Sequence, residues 1–213
     1  MRSAVDILYN FHWVLPGEVA RSSQAYAGFL GTFLKRHAIR SVINLRGTNP
    51  RHWWWRYETN VCSRLDVTHF DVRLNSRSLP PQRILLDLLD SFDGAEAPLL
   101  IKCSGGQDRS SFASALYLVH RHGWQMAHIA QEQFAGWPYL HWPKRQQRWM
   151  KVFIPYLADR APGRPASEWI RGGYTPEDFA RWLGERGMQD GFRPLVGGHA
   201  TRSSVEANPP FPR

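Results

Sequence analysis

The chain has 213 residues and a formal net charge of +9, from 27 basic against 18 acidic side chains. That length suits one compact domain with at most an appendage, and 43% hydrophobic with 13% aromatic residues excludes a chain too polar to bury a core. The opening MRSAVDILYNFHW lacks the basic segment, apolar run and small-residue site of a secretion signal, and no apolar stretch approaches roughly 18 residues, so a cytoplasmic protein is expected.

In chain order, the stretch NFHWVLPGEVARSSQ (residues 10–24) reads as extended, and Ala25 to His37 as an amphipathic helix. Ser41 to Leu45 is short and β-branched and is stopped by Arg46-Gly47-Thr48-Asn49-Pro50, the pattern of a buried strand entering a turn. A helix is expected over Trp53 to Arg64, an alternating strand over Thr68 to Leu74, then the polar loop Asn75 to Ser78. Pro80 and Pro81 suit a first helical turn, with Ile84, Leu85, Leu88, Leu89 and Phe92 as the apolar stripe. Pro98 to Ile101 is the last buried strand. Helical segments follow from Arg109 through His120, around Met126–Phe134 and over Lys144–Leu157.

Strands separated by helices in this way imply an α/β fold: a single domain over 1–159 with a central, mostly parallel sheet flanked by helices. Beyond Asp159 the composition shifts. APGRPASEW reads as a linker, Thr175-Pro176-Glu177-Asp178 as the cap of one short helix through Gly184, and ATRSSVEANPPFPR as a mobile tail. Residues 160–213 are therefore expected to form a C-terminal appendage.

The positive balance favours a phosphorylated, nucleic-acid or anionic-lipid partner. Composition accounts for it equally well, since Lys35, Lys102, Lys144 and Lys151 are the only lysines. Cys62 and Cys103 cannot make a disulfide framework and lack zinc-site spacing, and no HExxH is present, so neither a metal nor another cofactor is expected.

Ligands of an open parallel sheet gather at the carboxyl ends of its strands, which directs attention to LLIKCSGGQDRSSFASALYL (residues 99–118). There a buried strand ends at Cys103, and Arg109 six positions later opens a helix. Gly105 and Gly106 permit a tight loop in which the amides of Ser104, Gly105, Gly106, Gln107, Asp108 and Arg109 converge on an anion at the positive end of the helix dipole. The same environment favours the Cys103 thiolate as a nucleophile. The planar fork of Arg109 suits two phosphate oxygens, and Ser110 is placed to hydrogen-bond the sulfur when it leaves. A buried structural cysteine beside an ordinary helix start is the alternative.

The segment CSGGQDRS resembles the signature of the cysteine-dependent protein tyrosine and dual-specificity phosphatases at Cys103, Gly106, Arg109 and Ser110. NFHWV, Arg21–Gln24, Val42–Gly47 and Leu74–Pro80 look like the compact bacterial dual-specificity-like branch, so the resemblance spans roughly residues 8–158. It implies a cofactor-free phosphatase acting on phosphate monoesters through a cysteinyl-phosphate intermediate. The substrate would be a phosphoprotein, a phospholipid or a phosphorylated glycolipid, and peripheral contact with an anionic membrane is left open. An RNA end-phosphatase and a phosphate-binding module without turnover are the alternatives, although nucleic acid is not the expected partner.

Lys102 stands where the family usually has histidine. The general acid is open among Asp108, placed before the arginine as in myotubularin-type phosphatases, Asp71, about thirty residues before the cysteine, and no acid at all. Cys62 is weighed as a resolving thiol against a structural one. The Trp53-Trp54-Trp55 run is weighed as a substrate grip against helix core. Arg46, Arg73 and Arg77 follow strand ends where substrate phosphates would approach.

Overall fold

Three short strand segments and the first extended stretch, which supplies two strands, come together as one five-stranded sheet in the computed structural model, which describes residues 3–26 and 28–188. The strands are β1 (His12–Leu15), β2 (Val19–Ser22), β3 (Ser41–Asn44), β4 (Thr68–Asp71) and β5 (Leu99–Lys102), in the spatial order β1-β2-β5-β3-β4. β1 and β2 form an antiparallel hairpin, whereas β2, β5, β3 and β4 run parallel. β2, β3 and β5 are buried along their whole length, which is why their sequences show runs of apolar residues with little alternation.

Two apolar clusters cover the two faces. The smaller one packs α2 (Phe29–Arg36) and α3 (Trp53–Arg64) on Val42 and Leu100, with α1 (Ala4–Leu8) at its edge. The larger one packs Ile43 and Ile101 under α4 (Gln82–Gly94), α5 (Asp108–His122), α6 (Ala127–Glu132) and α7 (Trp149–Arg160). Alternation along β5 therefore sends Leu100 to one core and Ile101 to the other. The helix over Trp53–Arg64 appears with the expected bounds, and β4 ends at Asp71, three residues short of Leu74.

After Asp159 the chain continues into the segment expected as an appendage. This segment holds two helices, α8 (Ala166–Gly172) and α9 (Pro176–Glu185), and α8 begins inside the stretch read as a linker. Thr175 caps α9 by accepting from the Asp178 amide at 3.0 Å, as its sequence predicts. Ala166, Ile170, Tyr174, Phe179, Trp182 and Leu183 are buried in the same core as α4, α5 and α7. Pro and Gly mark the local turns here, while the apolar stripe of α9 buries against partners distant in sequence. The stretch ATRSSVEANPPFPR lies outside the described residues.

A shared core has a measurable consequence. Phe179→Ala is expected to destabilise the whole domain by about 3–5 kcal/mol in denaturant unfolding, in the same transition that reports the sheet. A change below about 1 kcal/mol, or a separate early transition, would restore the appendage.

Candidate active site

Backbone geometry builds the loop between β5 and α5. Gly106 has φ +64°, and a Cβ there would lie 2.5 Å from the Ser23 amide nitrogen, so no other residue fits. The reason for this crowding is Arg21. It is fully buried in β2, and its guanidinium donates to the carbonyls of Gly106 (2.8 Å) and Gln107 (3.0 Å) and to the Ser111 hydroxyl (2.8 Å). Asn10 donates to the same Gly106 carbonyl at 3.1 Å. In a trans peptide the N–H opposes the preceding C=O, so drawing these carbonyls inward turns the amides of Gln107 and Asp108 outward. Burial brings Arg21 down to about 10, held up by the sulfur of Cys103, Tyr139 and Asp108.

Cys103 sits at the floor, 3% exposed. Burial alone would raise its thiol. The charge of Arg109, the hydroxyl of Ser110 and the amides of Ser110 and Gln107 outweigh burial and bring the thiol below its ordinary value. The Ser110 hydroxyl is buried with no oxygen or nitrogen partner among the described residues, leaving its proton for the sulfur. Arg109 is steadied by donation to the Ser104 hydroxyl (3.0 Å) and the Leu45 carbonyl (3.3 Å).

Above this floor opens a cavity of about 650 Å3. Cys103, Ser104, Gly105, Gln107, Asp108 and Arg109 line its base, and Arg46, Asn49, Arg73, Arg77 and Gln147 are among its walls. Asp108 is the one acidic residue among them. Its carboxylate accepts from Gln147 Nε2 at 2.8 Å, and the buried His141 places Nδ1 3.3 Å from its other oxygen. Asp71 is placed elsewhere: it accepts from Asn44 (2.7 Å), Trp55 (2.8 Å) and Thr48 (3.2 Å) and is not among the lining residues. Its position at the end of β4 makes it a brace between loops.

Lys102, one residue before Cys103, points to the opposite face. Its Nζ lies 2.6 Å from Glu58 Oε2 and 2.8 Å from Gln24 Oε1, and Glu58 also accepts from His69 (2.8 Å) and Gln24. Burial lowers the lysine to about 8 despite Glu58. Glu58 is buried too, yet Lys102 and His69 hold its carboxyl below the usual range. Burial and the nearby Glu58 push Cys62 in α3 up to about 12, the behaviour of a structural thiol. Of the three tryptophans, Trp54 lies under Arg46 (3.4 Å to the ring centre), Trp55 binds Asp71 and Trp53 is exposed; none lines the cavity.

Cys103 to Ser110, singled out in the sequence, lie together in the turn from β5 into α5, with Cys103, Ser104, Gly105, Gln107, Asp108 and Arg109 lining the cavity. The sequence reading missed the roles of Arg21, Glu58, His141 and Gln147, because an arginine inside a buried strand and a glutamate inside a helix acquire partners only in three dimensions. The available signal was Arg21 following directly on the apolar pair Val19 and Ala20 in a strand-like stretch.

No family model and no curated protein sequence matches the chain. Solved structures do. TpbA from P. aeruginosa is 17% identical with a TM-score of 0.51, covering 85% of this chain and 95% of that one. The Siw14 catalytic core of S. cerevisiae is 18% identical at 0.52 (84% and 93%), and Tk-PTP in its active form 17% at 0.52 (69% and 97%). The fold is thus that of the tyrosine and dual-specificity-like cysteine phosphatases. No helix among the described residues is long and apolar enough to cross a membrane.

Two outcomes are expected. Iodoacetamide should alkylate Cys103 with a midpoint below the ordinary thiol value of about 8.5, and Arg109→Gln or Ser110→Ala should raise that midpoint by removing what favours the thiolate; Cys62 should stay unmodified in the folded protein. Glu58→Gln should destabilise by about 3–5 kcal/mol at pH 7, because it strands a buried ammonium. The folded lysine titrates near 8 and the unfolded one near 10.4. The unfolded chain therefore holds the extra proton between these values, and the cost of the ammonium fades as pH rises through 8. The Glu58→Gln penalty should accordingly be smaller at pH 9 than at pH 7 in urea unfolding.

Proposed function

We propose that the chain is a phosphatase that cleaves phosphate monoesters through a cysteinyl-phosphate intermediate. The observation that carries this reading is a thiol held below its ordinary value at the floor of an arginine-lined cavity, encircled by amides at the start of α5. In the first step the Cys103 sulfur attacks phosphorus in line, the bond from phosphorus to the ester oxygen breaks, and Asp108 passes its proton to the leaving oxygen. Arg109 and the loop amides hold the equatorial oxygens, where charge spreads in the transition state. In the second step water attacks phosphorus, Asp108 takes its proton, and the sulfur leaves as a thiolate bonded by Ser110. Inorganic phosphate and the starting enzyme result.

Asp108 is favoured as the acid because it lines the cavity, whereas Asp71 is engaged by three donors outside it. General acid work requires a carboxyl within hydrogen-bond reach of the leaving oxygen. Gln147 and His141 act as positioning residues for Asp108, and Lys102, although its charge and the Cys103 sulfur favour one another, is bonded to Glu58 and Gln24 on the other face of the sheet. Among the structural neighbours, TpbA has been seen with phosphotyrosine and Siw14 is described as a PP-IP phosphatase. The shared fold supports phosphate-ester hydrolysis over simple binding, since binding alone gives no use for a thiol tuned toward its anion.

The test is phosphate release from para-nitrophenyl phosphate between about pH 5 and 8 with no metal added. Wild type should turn over and Cys103→Ser should not; equal inactivity of two folded proteins would leave only the binding module. Asp108→Asn should slow an alkyl phosphate by about 10²–10⁴-fold and the aryl ester far less, and equal slowing of both would remove Asp108 as the donor.

A further inference from the structure

The wall of the cavity has a character that a single phosphate does not use. One phosphate at the floor is satisfied by the amides and by Arg109. Three more guanidinium groups, from Arg46, Arg73 and Arg77, line the same 650 Å3 space, and Asp108 is the one carboxylate there among the described residues. Like charges gathered in one cleft repel unless an anion joins them. Burial is the main reason that Arg46 holds its proton less tightly than usual; Tyr26 and Glu58 act the other way, and Arg109 adds a smaller repulsion.

This wall is built by two laced loops. The loops after β3 and β4 pair at Arg46 and Arg73. Gly47, at φ +70°, would carry a Cβ 2.7 Å from the Arg73 Cβ, so the close approach depends on glycine. Arg73 donates to the Thr48 carbonyl at 2.9 Å, and Asn49 to the carbonyls of Arg46 and Gly47 at 2.9 and 2.6 Å. The direct contacts of Arg46 and Arg73 are neutral, Trp54, Gln24 and Tyr26 for the former and a carbonyl for the latter, while the buried Glu58 carboxylate, already bonded to Lys102, acts on Arg46 at longer range. Their charge is held in place without being cancelled by these contacts.

The wall is also poor in apolar surface. No aromatic side chain is among the described residues that line it; Leu74 is the one aliphatic wall residue, between Arg73 and Asn75. An aryl phosphate would find little for its ring, because aromatic recognition relies on stacking or apolar contact. A hydroxyl-rich leaving group would find arginine and asparagine donors instead.

We propose that this wall is a second anion subsite and that the substrate is a small polyol ester carrying at least two phosphates, one at Cys103 and one between Arg46, Arg73 and Arg77. The assignment rests on the phosphatase reading for its floor and on the cationic wall for its substrate class. Charge-assisted contacts of planar guanidinium to phosphate are the strong hydrogen bonds of proteins, so the second phosphate should dominate discrimination. The polar ester would be an alkyl one, with a poor leaving group, which accords with an acid placed on the same cavity.

Fructose 1,6-bisphosphate and myo-inositol hexakisphosphate, compared with fructose 6-phosphate and a phosphotyrosine peptide, test this. Phosphate release by the wild-type full chain should give a kcat/KM at least about tenfold higher for the first pair than for fructose 6-phosphate. Arg77→Gln and Arg73→Gln, made separately and checked for folding by thermal melting, should each reduce that ratio by about tenfold. Calorimetry on the inactive Cys103→Ser chain should show the same ranking in Kd, which reads the wall without turnover. Equal treatment of mono- and bisphosphate, a ratio unmoved by both substitutions, or preference for the peptide would overturn the second subsite while leaving the phosphatase standing. Ranked binding with no turnover on any ester would do the reverse.

Discussion

The guanidinium of Arg21 is the interaction on which the site depends. A chain of amides aimed at an anion needs its carbonyls bonded on the far side, and a buried carbonyl without a partner is costly. Arg21 supplies donors to the carbonyls of Gly106 and Gln107 from inside the protein, and Asn10 adds a third to Gly106. Desolvating a guanidinium is itself costly. The contacts to Gln133 and Ser111 and the position of Tyr139 4.6 Å from its carbon offset that cost. Cys103 closes the arrangement electrostatically, because its thiolate helps keep Arg21 charged while Arg109 keeps the sulfur ionised from the cavity side.

Strand alternation explains why a lysine is tolerated beside Cys103. Cys103 belongs to the larger core, while Lys102 turns to the face where α3 supplies Glu58. A histidine at that position would be read as part of the thiol's surroundings. Here a salt bridge closed by Gln24 and His69 fills the same place under the sheet, and the thiol depends on Arg109, Ser110 and backbone amides. Burying an ion pair contributes little net stability compared with an apolar pair, so its value lies in fixing one arrangement of β2, β5 and α3.

Sequence made the local parts of this legible. The strand ending in Cys103, the glycine turn and the arginine opening a helix follow from short-range patterns, and so do α3 and the capped start of α9. Asp71 and Asp108 could not be separated in that way. Both are acidic and near strand or helix ends, and only the fold shows Asn44, Thr48 and Trp55 converging on one of them and the cavity opening onto the other. Arg21 escaped for the same reason: its partners lie 85 or more residues away in the chain.

The helices after Asp159 connect to the chemistry through α7. Asp178 of α9 accepts from Tyr156 and Arg160 of α7 at 3.0 Å. At the other end of α7, Trp149 donates to the Ser76 carbonyl, and Gln147, just before the helix, donates to both the Ser76 hydroxyl and Asp108. Ser76 adjoins Arg77 of the cavity wall. One helix therefore carries the support of Asp108 and the pinning of the β4–α4 loop, and its orientation is set by the aromatic packing of Phe153 and Tyr156 against Tyr174 and Phe179. Close-packed interiors transmit displacement rather than absorb it, so loosening α9 would reach Asp108 before it reached Cys103, whose surroundings come from β2, β5 and α5.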